Sequence, residues 1–326
     1  MAMIQSASDI FGLEPAGNRK RGLLAIEKLC IGYALLTALL VLVLWARLDH
    51  PAGMLLDRLQ ILLATGALWA LYRVYPCRLM RFVRITVQMV LLNYWYPETY
   101  EFNRVFENLD YLFASWEQQF FGGQPSVWFS QALPGAFFSE AFNLGYFSYY
   151  PMILLLMLFY FFCRYPRYEE ASFVVMCSFF VYYLIYIFVP VAGPQFYFQA
   201  IGMDNVAAGH FPALGTYFSS HTDMLPAPGY SDGLFYKLVI GAQDMGERPT
   251  AAFPSSHIGV SLILLILAFR TSRRLGLFLL PFCILLCCAT VYIQAHYLVD
   301  AIAGCLSSVP VYFLSRSVYR RWFVVK

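Results

Sequence analysis

Eight apolar runs divide this chain, at about 26–46, 54–72, 82–97, 139–163, 171–192, 254–269, 275–294 and 297–315. A helix needs roughly 20 apolar residues to cross the hydrocarbon core of a bilayer. In lipid every backbone N–H and C=O must be paired within its own segment, so such runs are committed to helix. Charge content agrees with this reading. Only 13% of residues are charged and 60% are hydrophobic, against about 25% charged in a soluble globule. The expected fold is all-α, a polytopic transmembrane bundle of about eight spans. The third and sixth runs are short, and the eighth starts with charge. Pro151 and Pro190 either kink the fourth and fifth spans or mark their ends.

An N-terminus in the cytoplasm sorts the basic residues well. Of the 22 Lys and Arg, only Arg47, Arg58, Arg104, Lys237 and Arg248 then fall outside; the rest, from Arg19 to Lys326, fall inside. That is the asymmetry the positive-inside rule describes, with both termini cytoplasmic. A net charge of +3 gives no reason to invoke nucleic acid as a partner. Two segments are too polar to cross, 98–138 with Glu98, Glu101, Glu107, Asp110 and Glu117, and 193–253 with Asp204, Asp223, Asp232, Asp244 and Glu247. Both are expected outside, as ordinary interfacial loops or as a lid over a substrate. The eight cysteines lie in or near apolar runs with no disulfide or zinc spacing, and read as buried hydrophobes. The first 24 residues hold no apolar core ending in a cleavage site, so the first span reads as a retained anchor.

Two histidines stand at the outer ends of spans. His257 ends the turn Ala252-Phe253-Pro254-Ser255-Ser256-His257, and His296 opens His296-Tyr297-Leu298-Val299-Asp300. The span count places both at one membrane face, although neither was used to set it. His296 and Asp300 are four residues apart and share a helix face. A carboxylate there can hold one ring nitrogen and leave the other free for attack. The same pair could equally be a helix-end ion pair at the headgroups. A metal held by His296, Asp300 and His257 is a weaker alternative, because the cluster offers no further obvious ligand.

Ala-Phe-Pro-Ser-Ser-His-x-Gly followed by His-Tyr-x-x-Asp-x-x-x-Gly, here ending at Gly304, resembles the type 2 phosphatidic acid phosphatase superfamily. Within it, the chain looks most similar to the inositol phosphorylceramide synthases. The specific match covers the C-terminal motifs; elsewhere it rests on the span pattern. The resemblance implies a six-helix phosphatase-like core over residues 81–326, with residues 1–80 contributing a cytoplasmic N-terminus and two accessory spans. It implies His296 as nucleophile, Asp300 as its orienting partner and His257 as general acid and then base, with no metal and no cofactor.

Departures from the phosphatase branch bear on the substrate. Arg248-Pro249 is present, but Gly241 stands where that branch has Lys, and Ala289-Thr290 where it has Ser-Arg. A site short of cations suits a singly charged phosphodiester better than a doubly charged monoester. Lys237 could fold back to replace the missing Lys. Arg248 reads as a phosphate contact or as a snorkelling interfacial residue. Ser255 and Ser256 read as phosphate donors or as helix caps. Gly193-Pro194-Gln195 either shapes the pocket or is a plain turn, and His210 and His221 carry no assigned role.

The leading expectation is transfer of phosphoinositol from phosphatidylinositol, the phospholipid donor, to ceramide or dihydroceramide, releasing diacylglycerol. A lipid phosphate or polyprenyl diphosphate phosphatase is the alternative, and a transporter or scaffold a third. The active site is expected on the extracytoplasmic face of a bacterial inner membrane, with a Golgi membrane as the other setting.

Overall fold

The computed structural model describes residues 7–323 other than 16 and 18, with the side chains of residues 7, 244 and 245 also outside the description. Lys326 and the Asp244 side chain, which enter the charge argument, therefore lie outside it. Regular structure among the described residues is helical, with one isolated bridge between Leu13 and Cys77. Five helices are long and apolar enough to cross a membrane: Ala25–Val43, Pro51–Val74, Tyr165–Phe188, Arg273–Tyr292 and Leu298–Phe323. Ala136–Phe147 and Tyr149–Cys163 form a sixth if the 44° bend between them lies within one span. Pro151 sits in the first turn of Tyr149–Cys163, where its missing N–H costs no helix bond, and Pro190 follows the end of the helix at Phe188.

Length and composition thus support five or six spans where eight were expected. The run at 82–97 is divided between Arg78–Val90 and Leu92–Asn103. The first of these carries buried Arg84 and Gln88, and Gln88 donates to the Thr65 hydroxyl at 3.0 Å. Polar contacts of that kind tie the segment to protein, and no single helix there is long and apolar enough. Ser256–Thr271 is apolar but has only 16 residues.

Two compact units can be distinguished, one of Met1–Trp95, Leu155–Phe180 and Phe313–Lys326, the other of Tyr96–Leu154 and Val181–Tyr312. Within the first, Arg84 and Glu27 make a two-pronged ion pair at 2.7 and 2.5 Å, both side chains fully buried. Glu27 also accepts the Leu24 N–H at 2.8 Å, capping helix Ala25–Val43, and the guanidinium lies 4.8 Å above the Tyr72 ring. A planar guanidinium suits such a site because its fork matches a carboxylate.

The second unit holds both segments expected outside; 98–138 is largely helical, whereas 193–253 has a non-helical stretch between Met203–Ala207 and Leu234–Gly246 broken only by a short 3-10 turn at Tyr217–Ser219. Asp110–Phe121 buries Asp110, Phe113, Ala114 and Glu117, an i, i+3, i+4, i+7 stripe that faces inward. Its two acids are buried inside the protein. Helix Ala136–Phe147 packs on Arg273–Tyr292 at Gly145, where a Cβ would come within 2.5 Å of the Leu285 backbone. On its other side it packs against Leu234–Gly246, and Glu140 accepts the Phe235 and Tyr236 N–H groups at 3.0 Å each. A carboxylate at a helix N-terminus satisfies free amides and meets the positive end of the dipole.

Arg84→Leu strands the Glu27 charge, and a loss of about 3–5 kcal/mol is expected. Thermal unfolding of the detergent-purified protein checks this. The double variant Glu27→Leu/Arg84→Leu is expected to recover most of the loss.

Candidate active site

Three loop segments converge in the second unit, 189–195, 250–257 and 293–300. Their junction is the buried Asp110 carboxylate. It accepts the Ala192 and Gly193 N–H groups at 2.6 and 2.8 Å, the Asn108 amide at 2.5 Å and the Tyr297 hydroxyl at 3.0 Å. Burial pushes its carboxyl up from the ordinary value, and these four donors pull it back toward the anion. Backbone bonds stitch the segments further: Ala252 N–H to Val191 O at 3.0 Å, Gln195 N–H to Gln294 O at 2.9 Å, and Ser255 N–H to Asp300 O at 3.1 Å. Gly193, at φ +95°, faces the Ala295 carbonyl so closely that a Cβ would lie 2.6 Å from it. The Gly193-Pro194-Gln195 turn therefore docks directly beside His296.

The two motif glycines have a packing reason. A Cβ on Gly304 would sit 2.5 Å from the Ser255 carbonyl oxygen, and one on Gly259 would collide with the Tyr182 hydroxyl. Only glycine lets helix Leu298–Phe323 approach the turn before His257 this closely. The spacing of the motif thus encodes an approach between helices.

His296 is buried, 3% exposed. Its Nδ1 lies 2.8 Å from the Ala252 carbonyl oxygen and 3.8 Å from Asp300 Oδ2. Burial drops its pKa to about 4, against the Ala252 bond and the Glu247 charge, which raise it. The imidazole is therefore neutral near pH 7 and holds one proton. A carbonyl can only accept, so that proton sits on Nδ1 and Nε2 presents a lone pair. Asp300 Oδ2, at 3.8 Å from Nδ1, is beyond hydrogen-bond length and accepts the Tyr297 N–H at 2.9 Å. The Ala252 carbonyl is the nearer partner that fixes the tautomer, with the Asp300 carboxyl next to it.

His257 opens helix Ser256–Thr271 and is half-buried. Its ring stacks on Tyr146 and tilts against Tyr149, at centroid distances of 4.8 and 4.6 Å. The His257 and His296 rings stand 5.8 Å apart, so a group attacked by one is within reach of the other.

The remaining candidates divide. Ser255 caps the helix, its Oγ accepting the Ile258 N–H at 3.4 Å, and its side chain is fully buried. Ser256 is buried too, and its N–H donates to the Tyr186 hydroxyl at 2.9 Å, which donates to Pro254 O. Arg248 is exposed and donates to the Glu247 carbonyl at 2.9 Å. Lys237 is exposed on helix Leu234–Gly246, with no contact to either histidine among the described residues. His221 stacks on Tyr217 at 4.0 Å, in the loop beyond the site. Among the described residues no three His, Cys, Asp or Glu side chains are grouped to hold a metal.

Sequence reasoning missed four groups. The Ala252 carbonyl carries no side-chain signal at all. Asp110 and Glu117 were visible as acids seven apart on one helix face, a spacing that could have flagged them. Glu247 directly precedes Arg248 and accepts the Tyr96 hydroxyl at 3.2 Å. Glu117 Oε1 accepts the Val299 N–H at 3.1 Å, at the start of the helix bearing Asp300.

A family model described as PAP2 superfamily matches residues 112–314, which contain both histidines and Asp300. No curated protein and no solved structure matches the chain.

Burial pushes the Glu117 carboxyl up to about 8, with the Val299 N–H lowering it and Asp300 raising it. An unfolded carboxyl titrates near 4.3, so the folded state holds this proton more tightly. The stability it contributes is full below about 4.3 and is lost as pH rises through about 8. The melting temperature of the purified protein is expected to fall between about pH 6 and pH 9. Glu117→Gln is expected to flatten that slope; an unchanged slope contradicts the assignment.

Proposed function

Because this chain belongs to the PAP2 superfamily, whose members generally are phosphatases or phosphotransferases acting on lipid phosphates, we propose that it transfers phosphoinositol. Phosphatidylinositol is the donor and ceramide or dihydroceramide the acceptor. The observation that carries the reading is the 2.8 Å contact from His296 Nδ1 to the Ala252 carbonyl, which leaves Nε2 unprotonated.

His296 Nε2 attacks phosphorus, and the bond to the diacylglycerol oxygen breaks as His257 gives that oxygen a proton. His257 takes this proton up when the phosphate anion binds, since burial and the His296 charge by themselves hold its pKa down to about 3. Diacylglycerol leaves. The primary hydroxyl of ceramide then yields its proton to His257 and attacks phosphorus, breaking the N–P bond and restoring His296. One histidine serves as nucleophile and the other as acid, then base. Both alcohols are lipid-borne, which suits a site opening to the bilayer. Several apolar helices and the family point to an integral membrane protein. The extracytoplasmic face is proposed from the charge asymmetry of the eight-run reading of the sequence.

A diester substrate fits the cation count. Gly241 carries no charge, Lys237 is exposed, and the Thr290 hydroxyl donates to Cys287 O at 3.0 Å. The Asp300 carboxyl, 3.8 Å from His296 Nδ1, is the nearest acidic group to the positive charge that develops on the ring during attack.

Purified protein given labelled phosphatidylinositol is expected to form inositol phosphorylceramide only when ceramide is present. His296→Ala and His257→Ala are expected to lower the rate by at least roughly 10²–10⁴-fold. Phosphate release from phosphatidic acid without any acceptor would instead establish a hydrolase. Full activity in His296→Ala would remove the phosphohistidine reading.

A further inference from the structure

Gln195, Gln243 and Gln294 meet beside His296, and the transfer chemistry described above uses none of them. All are buried, at 4%, 4% and 8% exposure. They come from separate segments: the turn into helix Pro194–Ile201, helix Leu234–Gly246, and the loop 293–297 that carries His296. The Gln195 N–H donates to Gln294 O at 2.9 Å, which sets these residues side by side just before the nucleophile. Gln243 Nε2 donates to Gln195 Oε1 at 3.4 Å. Packing holds Gln243 in place, because Val239, one turn earlier on the same helix face, is clustered with buried Ile293 and Ala295.

The amide pair is only partly used. A carboxamide carries two N–H donors and a carbonyl with two lone pairs. The bond between the side chains engages one donor of Gln243 and one acceptor of Gln195. Among the described residues neither Gln195 Nε2 nor Gln243 Oε1 has a hydrogen-bond partner. Buried polar groups in that condition are costly unless something pairs with them. Gln294 supplies an independent sign. Its backbone lies at φ +63°, a region that favours glycine and that other side chains occupy at a cost. Strain of this kind persists only where the surroundings enforce it, and it clusters at functional sites.

We propose that Gln195 and Gln243, with Gln294 beside them, form a headgroup subsite that hydrogen-bonds the vicinal hydroxyls of a polyol phosphodiester. This rests on the proposed reading of His296 as the phosphoryl acceptor. A hydroxyl donates and accepts at once, and neighbouring hydroxyls present both functions together. An open N–H beside an open carbonyl is their complement. The amides are neutral, so they read hydroxyls without adding attraction for phosphate charge. Selection by such a site is sharp, because a headgroup without hydroxyls leaves buried polar groups unpaired.

The test is equilibrium binding of short-chain lipids to the purified full-length chain: dioctanoyl phosphatidylinositol, phosphatidylglycerol and phosphatidylethanol. All are singly charged diesters with the same acyl chains, and only the last lacks headgroup hydroxyls. Wild-type protein is expected to bind phosphatidylinositol at least roughly tenfold more tightly than phosphatidylethanol. Gln195→Leu and Gln243→Met are each expected to weaken phosphatidylinositol roughly tenfold and to leave phosphatidylethanol unchanged. Retained phosphatidylethanol binding shows that the variants are folded. Equal weakening of both lipids marks a purely structural tie and overturns the proposal. So does an unchanged ratio, or a wild type with no preference for hydroxylated headgroups. Phosphatidylglycerol separates an open polyol from a ring. A preference for it over phosphatidylinositol, lost in the variants, keeps the subsite and removes phosphatidylinositol as donor. A preference for phosphatidylinositol with no transfer to ceramide likewise counts against the proposed function and leaves the subsite standing.

Discussion

The carboxylate of Asp110 is the constraint on which the site depends. A buried anion is tolerated only when its lone pairs are occupied, and here two backbone amides, a side-chain amide and a phenol occupy them. Each donor comes from a segment that would otherwise be free to move. Ala192 and Gly193 belong to the turn that faces Ala295, and Tyr297 immediately follows the nucleophile. The carboxylate thereby sets the path of the chain on both sides of His296. The Ala252 carbonyl reaches the imidazole because Ala252 N–H is itself bonded to Val191 O, one residue from an Asp110 donor. The tautomer of the nucleophile is thus fixed two bonds away from Asp110.

Buried acids have a common use elsewhere in the chain. Glu27 accepts Leu24 N–H, Glu169 accepts Ala25 N–H, Glu140 accepts Phe235 and Tyr236 N–H, and Glu117 accepts Val299 N–H. In each case a carboxyl oxygen accepts from amides at a helix start, where no intrahelical partner exists. An apolar chain has few polar groups and little water to complete such ends. Its scarce acids serve where the uncompensated amide would cost most. Glu247 departs from this use, since its side chain accepts from the Tyr96 hydroxyl.

The helical class was legible in the sequence, and so were the two histidine motifs that the fold brings together, for identifiable reasons. Apolar length commits a segment to helix, and the two histidine motifs carry their own close-packing glycines, Gly259 and Gly304. Other features were hidden. Arg84 and Gln88 interrupt the run at 82–97, but hydropathy cannot tell a polar residue bonded inside protein from one facing lipid. Asp110 and Glu117 looked like surface acids because an acidic side chain among aromatics is ordinary at an interface. The partner of His296 was assigned to Asp300 by the i, i+4 rule, which holds within a helix; His296 precedes Leu298–Phe323, and a backbone carbonyl took the position. Residues 241 and 290 argued for a weakly cationic site from sequence alone.

The account places a phosphoryl group on His296 Nε2. The direct measurement is to quench the full-length protein during turnover of phosphatidylinositol in the absence of ceramide and map the modified residue by mass spectrometry, under alkaline conditions that preserve phosphoramidates. A phosphoinositol adduct on His296, accumulating without ceramide and discharged on its addition, is the result expected. An adduct on another residue, or turnover with none on His296, would contradict it.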